Sequence, residues 1–264
     1  MKPQPSAITE ADRYQASNTI AETHRHFEHV SSPRSLLLET KYALSRLYYR
    51  ARKGLDNSFI FGGLRLPYFY HRYNMTWRSE RTVEIPIAVA ALEEFKGKRV
   101  LEIGNVLSHY GFGGHDVVDR YEVAPGVMNV DLMDFKPEQK YDFVVSLSTF
   151  EHMGHDEEVR VPEKPRQALQ HVIEHCVTAN GAVLITFPLG HNPYLDKMAF
   201  DGDTFGLPCR FLKRRTASNM WREAKPDEVK GSRYNAPFPF ANGLGVIWSG
   251  DITDTATIPI GSGK

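Results

Sequence analysis

Residues Tyr141–Met153 read YDFVVSLSTFEHM, and this stretch decides the fold. Its centre, Phe143–Leu147, is largely apolar at successive positions, so both faces of the strand it forms are to be buried. That is the pattern of an interior strand in a mostly parallel sheet. The run then breaks into Ser148, Thr149, Glu151 and His152. Open α/β sheets bind ligands beyond the carboxyl ends of their strands, and these polar side chains stand there.

Working outward, short apolar strands are expected over Arg99–Ile103, Val117–Val118, Val127–Val130 and Ala182–Phe187. Helices are expected over Val83–Phe95 and over Arg166–Val177, whose face of Ala168, Leu169, Val172, Ile173 and Cys176 is stopped by Asn180-Gly181. Strands alternating with helices indicate an α/β fold with a mostly parallel sheet and helices on both faces. Upstream, Leu36–Arg52 carries a helical period between Ser32-Pro33 and Gly54. Downstream, the pattern gives a strand at Arg210–Phe211, a helix over Ala217–Ala224 and a last strand at Gly245–Trp248. Residues 1–82 read as an N-terminal arm followed by a lid or substrate segment. Residues 83–264 form the core, with 188–264 contributing acceptor-side loops. The aromatic stretch Asn57–Trp77 is read as a substrate wall or as packing against the core.

The first core strand leaves through Val100–Asn105 (VLEIGN), where Gly104 permits a tight turn and Glu102 places an acid at the mouth of the site. A pyrophosphate-binding loop would want G-x-G-x-x-G, but Asn105, Val106, Leu107, Ser108 and His109 follow Gly104, so a dinucleotide is disfavoured.

Three segments in order, VLEIGN (Val100–Asn105), YDFVVSLSTFEHM (Tyr141–Met153) and NGAVLITFPLG (Asn180–Gly190), resemble the class I S-adenosylmethionine-dependent methyltransferases across roughly Val83–Asp196. The resemblance implies a Rossmann-like fold and S-adenosylmethionine as cofactor. It departs from the family's E-x-G-x-G-x-G at Val106 and Ser108. Carried over position by position, it implies that Glu102, Gly104 and Asn105 lie by the methionine end and that Asp119 or Glu122 takes the ribose hydroxyls. It sets Asp131 and Leu132 by the adenine, and Ser148 on the loop facing the transferred methyl group. The phrases LEIGNVLSHY, STFEHMGHDE and PLGHNPYLD are most similar to bacterial carbohydrate-modifying members, implying O-methylation of a sugar or oligosaccharide acceptor. Aromatic residues Tyr68, Phe69, Tyr70, Tyr73 and Trp77 are candidates for stacking on sugar faces.

Ser146–Glu158 (SLSTFEHMGHDEE) packs two histidines and four acids after the fourth core strand. Alkylating a hydroxyl requires loss of its proton, which a positioned His or carboxylate accepts. His152, Glu151 and, on the next loop, His191 are the catalytic candidates. A divalent ion is the alternative activator, with Glu151, His152 and Asp156 as candidate ligands and Mg²⁺ or Mn²⁺ the expected ion where carboxylates dominate. The H-x-x-E-H pattern at His171–His175 lies on the polar border of a helix with no third ligand following, and is rejected as a zinc site.

The 264 residues hold 32 Lys+Arg against 32 Asp+Glu. The balance is local rather than uniform. Ser31–Thr82 has ten basic and three acidic residues, Asn129–Arg160 eight acidic and three basic, and Arg210–Arg233 eight basic and three acidic. Basic flanks around an acidic centre suit an anionic or polyhydroxylated ligand near a cationic cofactor. A nucleic-acid methyltransferase gripping phosphates with those flanks is the alternative, with the neutral total against it; a non-catalytic methyltransferase-like binding domain is the other. The longest apolar run, Ile87–Leu92, is far below membrane-spanning length, and two cysteines support no disulfide framework. The reading is a cytoplasmic protein with no membrane association, open to forming a homodimer.

Overall fold

The structure is a computed structural model that describes residues 33–53 and 57–250; the arm expected over the first thirty residues lies outside them. Eight strands form one sheet in the order β5-β4-β3-β6-β7-β10-β8-β9. These are β3 (Val100–Ile103), β4 (Asp116–Val118), β5 (Val127–Met128), β6 (Tyr141–Leu147), β7 (Val177–Pro188), β8 (Cys209–Arg214), β9 (Trp221–Ala224) and β10 (Gly243–Trp248). From β5 to β7 every pairing is parallel, whereas β10 is antiparallel to both β7 and β8. The chain moves outward from β3 through β4 to β5, then returns to the other side of β3 with β6. This reversal creates a crevice between the carboxyl ends of β3 and β6.

Strand β6 shows why its sequence reads as apolar on both faces. Phe143, Val145 and Leu147 enter the core shared with helix α2 (Arg81–Glu94) and a two-stranded hairpin, β1 (Ser58–Phe61) and β2 (Leu64–Pro67). Val144 enters the opposite core with α3 (Lys164–His171) and α4 (Pro193–Asp201). The one polar inward residue, Ser146, donates to Ile103 O of β3 at 2.8 Å, so its burial carries no unpaired hydroxyl.

A proline fastens the aromatic segment onto this scaffold. Pro86 sits inside α2 and has no N–H for the carbonyl of Thr82. Phe69 N donates to that carbonyl at 3.0 Å, and Thr82 Oγ1 donates back to Phe69 O at 3.1 Å. The exchange docks Phe69 and the residues after it beside the N-terminus of α2. Phe59, Phe61, Tyr68, Phe69 and Trp77 are buried. Three of the five rings expected to meet sugar faces (Tyr68, Phe69 and Trp77) are therefore core, while Tyr70 and Tyr73 keep partial exposure.

Two expectations are corrected. Ala217–Ala224 is not helical: Asn219 adopts φ +63 and turns the chain into β9, which pairs antiparallel with β8 and buries Trp221. Tertiary pairing outweighs a weak helical period there. Asn180-Gly181 does not follow a helix directly. The helix closes through a π turn at Val172–Cys176, and these two residues lie in an irregularity of β7, where pairing with β6 jumps from Val177 to Ala182. Helix α1 (Pro33–Lys53) matches its expected span.

Candidate active site

The loop after β3 is organised by its own acids. Glu102 is fully buried; one carboxylate oxygen accepts Val106 N and Leu107 N, both at 2.8 Å, and the other meets His115 Nε2 at 2.8 Å. These bonds set the start of the 3-10 helix Leu107–Tyr110. Asp119, just past β4, accepts Asn105 N at 3.0 Å and both Tyr121 N and Glu122 N at 2.8 Å. Three amide donors thus occupy its two oxygens. Glu122 stands differently: Asn105 Nδ2 donates to it at 2.6 Å and His109 Nε2 lies 3.2 Å away, with no backbone amide among these partners. Both acids expected to take a diol thus stand beside Asn105, Asp119 through its backbone amide and Glu122 through its side chain.

Gly104 is required at this turn. Its φ is +83°, and a Cβ there would lie 2.3 Å from Thr149 Oγ1, so the β3 and β6 loops touch at this glycine. Asp131, after β5, accepts Met133 N at 3.0 Å and pairs with Arg120 and Lys164 at 2.9 and 3.2 Å. Burial opposes its charge, but these donors outweigh it and hold the carboxyl below its ordinary range. Leu132 is buried beneath it.

Ser148 follows directly on β6 with φ +42°, an uncommon conformation for a residue with a side chain. Its hydroxyl donates to Glu84 of α2 at 2.7 Å; Thr186 Oγ1 donates to the same oxygen at 2.6 Å, and Arg81 reaches the other at 2.9 Å. Arg81 and Glu84 are functional candidates that the sequence reading missed, because an apolar helical run masks a buried ion pair at its start. The signal present in the sequence is an Arg and a Glu at i, i+3 in the first turn of an otherwise apolar helix. His109, also missed, stacks on Tyr73 with ring centroids 4.6 Å apart, joining the aromatic segment to the β3 loop.

Beyond β6, Glu151 turns inward and is 2% exposed; its Oε2 has no hydrogen-bond partner among the described residues. Burial, reinforced by neighbouring Glu84, raises its pKa well above the ordinary carboxyl value. His152 and His191 both approach Asp156 Oδ2, from Nδ1 at 2.5 Å and from Nε2 at 3.0 Å. Desolvation lowers the His152 pKa despite the opposing bond to Asp156. Burial works against the Asp156 charge, but the bonds from the two histidines outweigh it and lower its pKa. Asn192 locks the two loops together: its Nδ2 donates to Glu151 O at 3.0 Å while its Oδ1 caps α4 through Tyr194 N and Leu195 N. His155 sits at the rim, its ring 5.6 Å from that of His191.

The structure therefore gathers Glu102, Gly104, Asn105, Asp119 and Glu122 into one loop system, and His152, Asp156 and His191 into another. Ser148 and Glu151 lie between the second system and α2. Asp131 and Leu132 remain apart, after β5. His171, from the rejected zinc pattern, meets Phe135 O at 2.7 Å.

No family model matches the chain. No curated protein matches it significantly. Among solved structures it is similar to a TehB-like SAM-dependent methyltransferase from Corynebacterium glutamicum, at 17% identity and a TM-score of 0.34 over 61% of this chain and 85% of that one. It is also similar to the N-methyltransferase NodS from Bradyrhizobium japonicum in complex with S-adenosyl-L-homocysteine, at 9% identity and a TM-score of 0.39 over 78% of this chain and 98% of that one. A third is TehB from Haemophilus influenzae, at 16% identity and a TM-score of 0.32 over 62% and 60%. The strand order carries the assignment on its own. The fold is Rossmann-like, of the class I methyltransferase type. Among the described residues, no helix of this fold is long and apolar enough to cross a membrane.

Proposed function

We propose that the protein is an S-adenosylmethionine-dependent O-methyltransferase acting on a hydroxyl of a carbohydrate, of the mannoside type. The observation that supports it is the meeting of two chemically different loop systems at the crevice where the strand order reverses between β3 and β6. The β3–β4 side offers carboxylates to a cationic, diol-bearing cofactor: Glu122, with Asp119 and Glu102 shaping the loop around it. The β6–β7 side offers His152, Asp156 and His191 to a hydroxyl that must lose a proton.

When bound, S-adenosylmethionine would supply a sulfonium methyl group open to displacement by an oxygen nucleophile, with the C–S electron pair leaving on sulfur, so the chain's own residues need only orient the hydroxyl and accept its proton. The His152–Asp156–His191 group takes up that proton and passes it to solvent, to which all three side chains are partly open. Glu151 is buried beside this cluster with one carboxyl oxygen unpartnered among the described residues, a position from which it could meet an acceptor oxygen. Tyr70 and Tyr73 are the remaining rings for the sugar. The carbohydrate acceptor rests on the resemblance of LEIGNVLSHY, STFEHMGHDE and PLGHNPYLD to bacterial carbohydrate-modifying methyltransferases, and the mannoside type is the narrower proposal, after the mycobacterial methylmannoside O-methyltransferase.

Incubation with methyl-labelled S-adenosylmethionine and a panel of manno-oligosaccharides, other hexose oligosaccharides, RNA and DNA tests the reading. Label on a mannoside hydroxyl is expected. Transfer only to nucleic acid, or to no acceptor despite cofactor binding, would overturn it.

A further inference from the structure

His152, Asp156 and His191 each place one ligand atom within 4.8 Å of the others, and no other His, Cys, Asp or Glu group among the described residues does so. Two imidazole nitrogens converge on a single carboxylate oxygen, at 2.5 and 3.0 Å. An ion bonded at about 2.0–2.1 Å to each donor wants those donors roughly 3.3 Å apart in a tetrahedral arrangement. Opening the two Asp156 contacts by less than about 1 Å, with the ion replacing the shared protons, brings both to that spacing, and the third pair already lies within 4.8 Å.

We propose that these three side chains bind one divalent transition-metal ion of the zinc type. Two imidazoles and one carboxylate suit zinc, cobalt or iron; Mg²⁺ prefers an oxygen shell, so the Mg²⁺ expectation is replaced. The ligand set changes as well, because Glu151 points into the core and His191 takes its place.

The site is built rather than accidental. His152 and Asp156 lie on one tight turn, closed by Asp156 N to His152 O at 3.0 Å. That turn is packed at Gly154, where a Cβ would lie 2.0 Å from Val161 O. His191 arrives from the loop after β7, where Gly190 has its backbone against Ser232 and Arg233, and Asn192 pins that loop to Glu151. The exposed sides, 53% for His152 and 43% for Asp156, leave coordination positions open to water or a hydroxyl. Three protein ligands with an open position is the arrangement that activates a bound oxygen. The site rests on this donor geometry and not on the methyl-transfer reading; with the ion bound, the three side chains act as ligands, and an oxygen activated at the open position replaces them as the proton acceptor.

The test reads metal binding, not turnover. Tag-free protein stripped with chelator is titrated with Co²⁺, following visible absorption, and with Zn²⁺ and Mg²⁺ by calorimetry. One Co²⁺ and one Zn²⁺ per chain are expected, with Mg²⁺ at least about 100-fold weaker. His191→Gln and Asp156→Asn should each weaken Zn²⁺ binding by at least about 100-fold, with far-UV circular dichroism unchanged. No Co²⁺ absorption up to millimolar ion, Mg²⁺ bound as tightly as Zn²⁺, or Zn²⁺ affinity unchanged in both variants would overturn the proposal. The wild-type titration decides the matter if a variant fails to fold.

Discussion

The loops after β3–β4 and after β6–β7 use the same residue types for opposite ends. On the β3–β4 side, Glu102 gives one oxygen to the amides of Val106 and Leu107 and the other to His115, and both oxygens of Asp119 accept backbone amides. A carboxylate that receives two or three backbone N–H groups is a local scaffold, holding a turn that lacks the usual glycines. On the β6–β7 side, Asp156 faces two imidazoles instead of amides, and one oxygen of Glu151 has no partner among the described residues. There the scaffold is supplied from elsewhere, by Asn192 and by Glu84 on α2, leaving the acid and imidazole groups for chemistry. The lesson is that an acid's partners, rather than its place at a strand end, separate framework from reactive group.

The sharpest way to break this division is to remove its hidden frame. Glu84→Ala leaves Arg81 without its buried partner and strips the acceptor from Ser148 and Thr186. Urea unfolding should show a loss of about 3–5 kcal/mol; a loss under about 1 kcal/mol would mean that α2 does not hold the β6 loop. His152→Ala should instead leave stability within about 0.5 kcal/mol, because the side chain is half exposed. In the methyl-transfer assay it should lower turnover at least about 100-fold, with adenosylhomocysteine affinity changed only a few-fold. Retained turnover would take His152 out of the reactive group.

The strands were legible because burial on both faces imposes an unbroken apolar run, as in Phe143–Leu147, and because glycine and polar residues bound each one. The polar loops that carry His152, Asp156 and His191 were legible for the same reason, since each follows such a run; that the three side chains meet depends on the fold. Other features depend on long-range pairing. Glu84 reads as one polar residue in a helix until the fold brings it to Ser148, 64 positions away, and Thr186, 102 positions away. Trp221 becomes part of a strand only because β8 lies alongside to pair with it. The roles of Asp119 and Glu122 could not be separated by spacing, because the difference lies in which amides the turn happens to aim at Asp119.

Two smaller effects sharpen the contrast. Gly104→Ala should cost about 2 kcal/mol, from an unfavourable left-handed backbone and the approach to Thr149 Oγ1. Adding Thr149→Ala should recover the steric share but not the backbone share. Equal costs in the single and double variants would show that the two loops do not touch there. Asp196 is smaller still: burial pushes its carboxyl up to about 6, against an ordinary 3.8, although Gly190 N donates to it. A raised acid pKa favours the folded state below the unfolded value, and that advantage is lost as pH rises through about 6. Asp196→Asn should therefore raise stability by about 1 kcal/mol at pH 8 and leave it unchanged near pH 3.5, read by thermal unfolding at both.

Whether the β3–β4 loop system holds S-adenosylmethionine is decided by calorimetric titration with S-adenosylhomocysteine. One site per chain is expected, weakened at least about 10-fold by Glu122→Ala, whose side chain would meet the ligand, while the fold and the β6–β7 cluster stay intact. No heat of binding at millimolar ligand, or equal affinity in wild type and Glu122→Ala, would contradict that expectation.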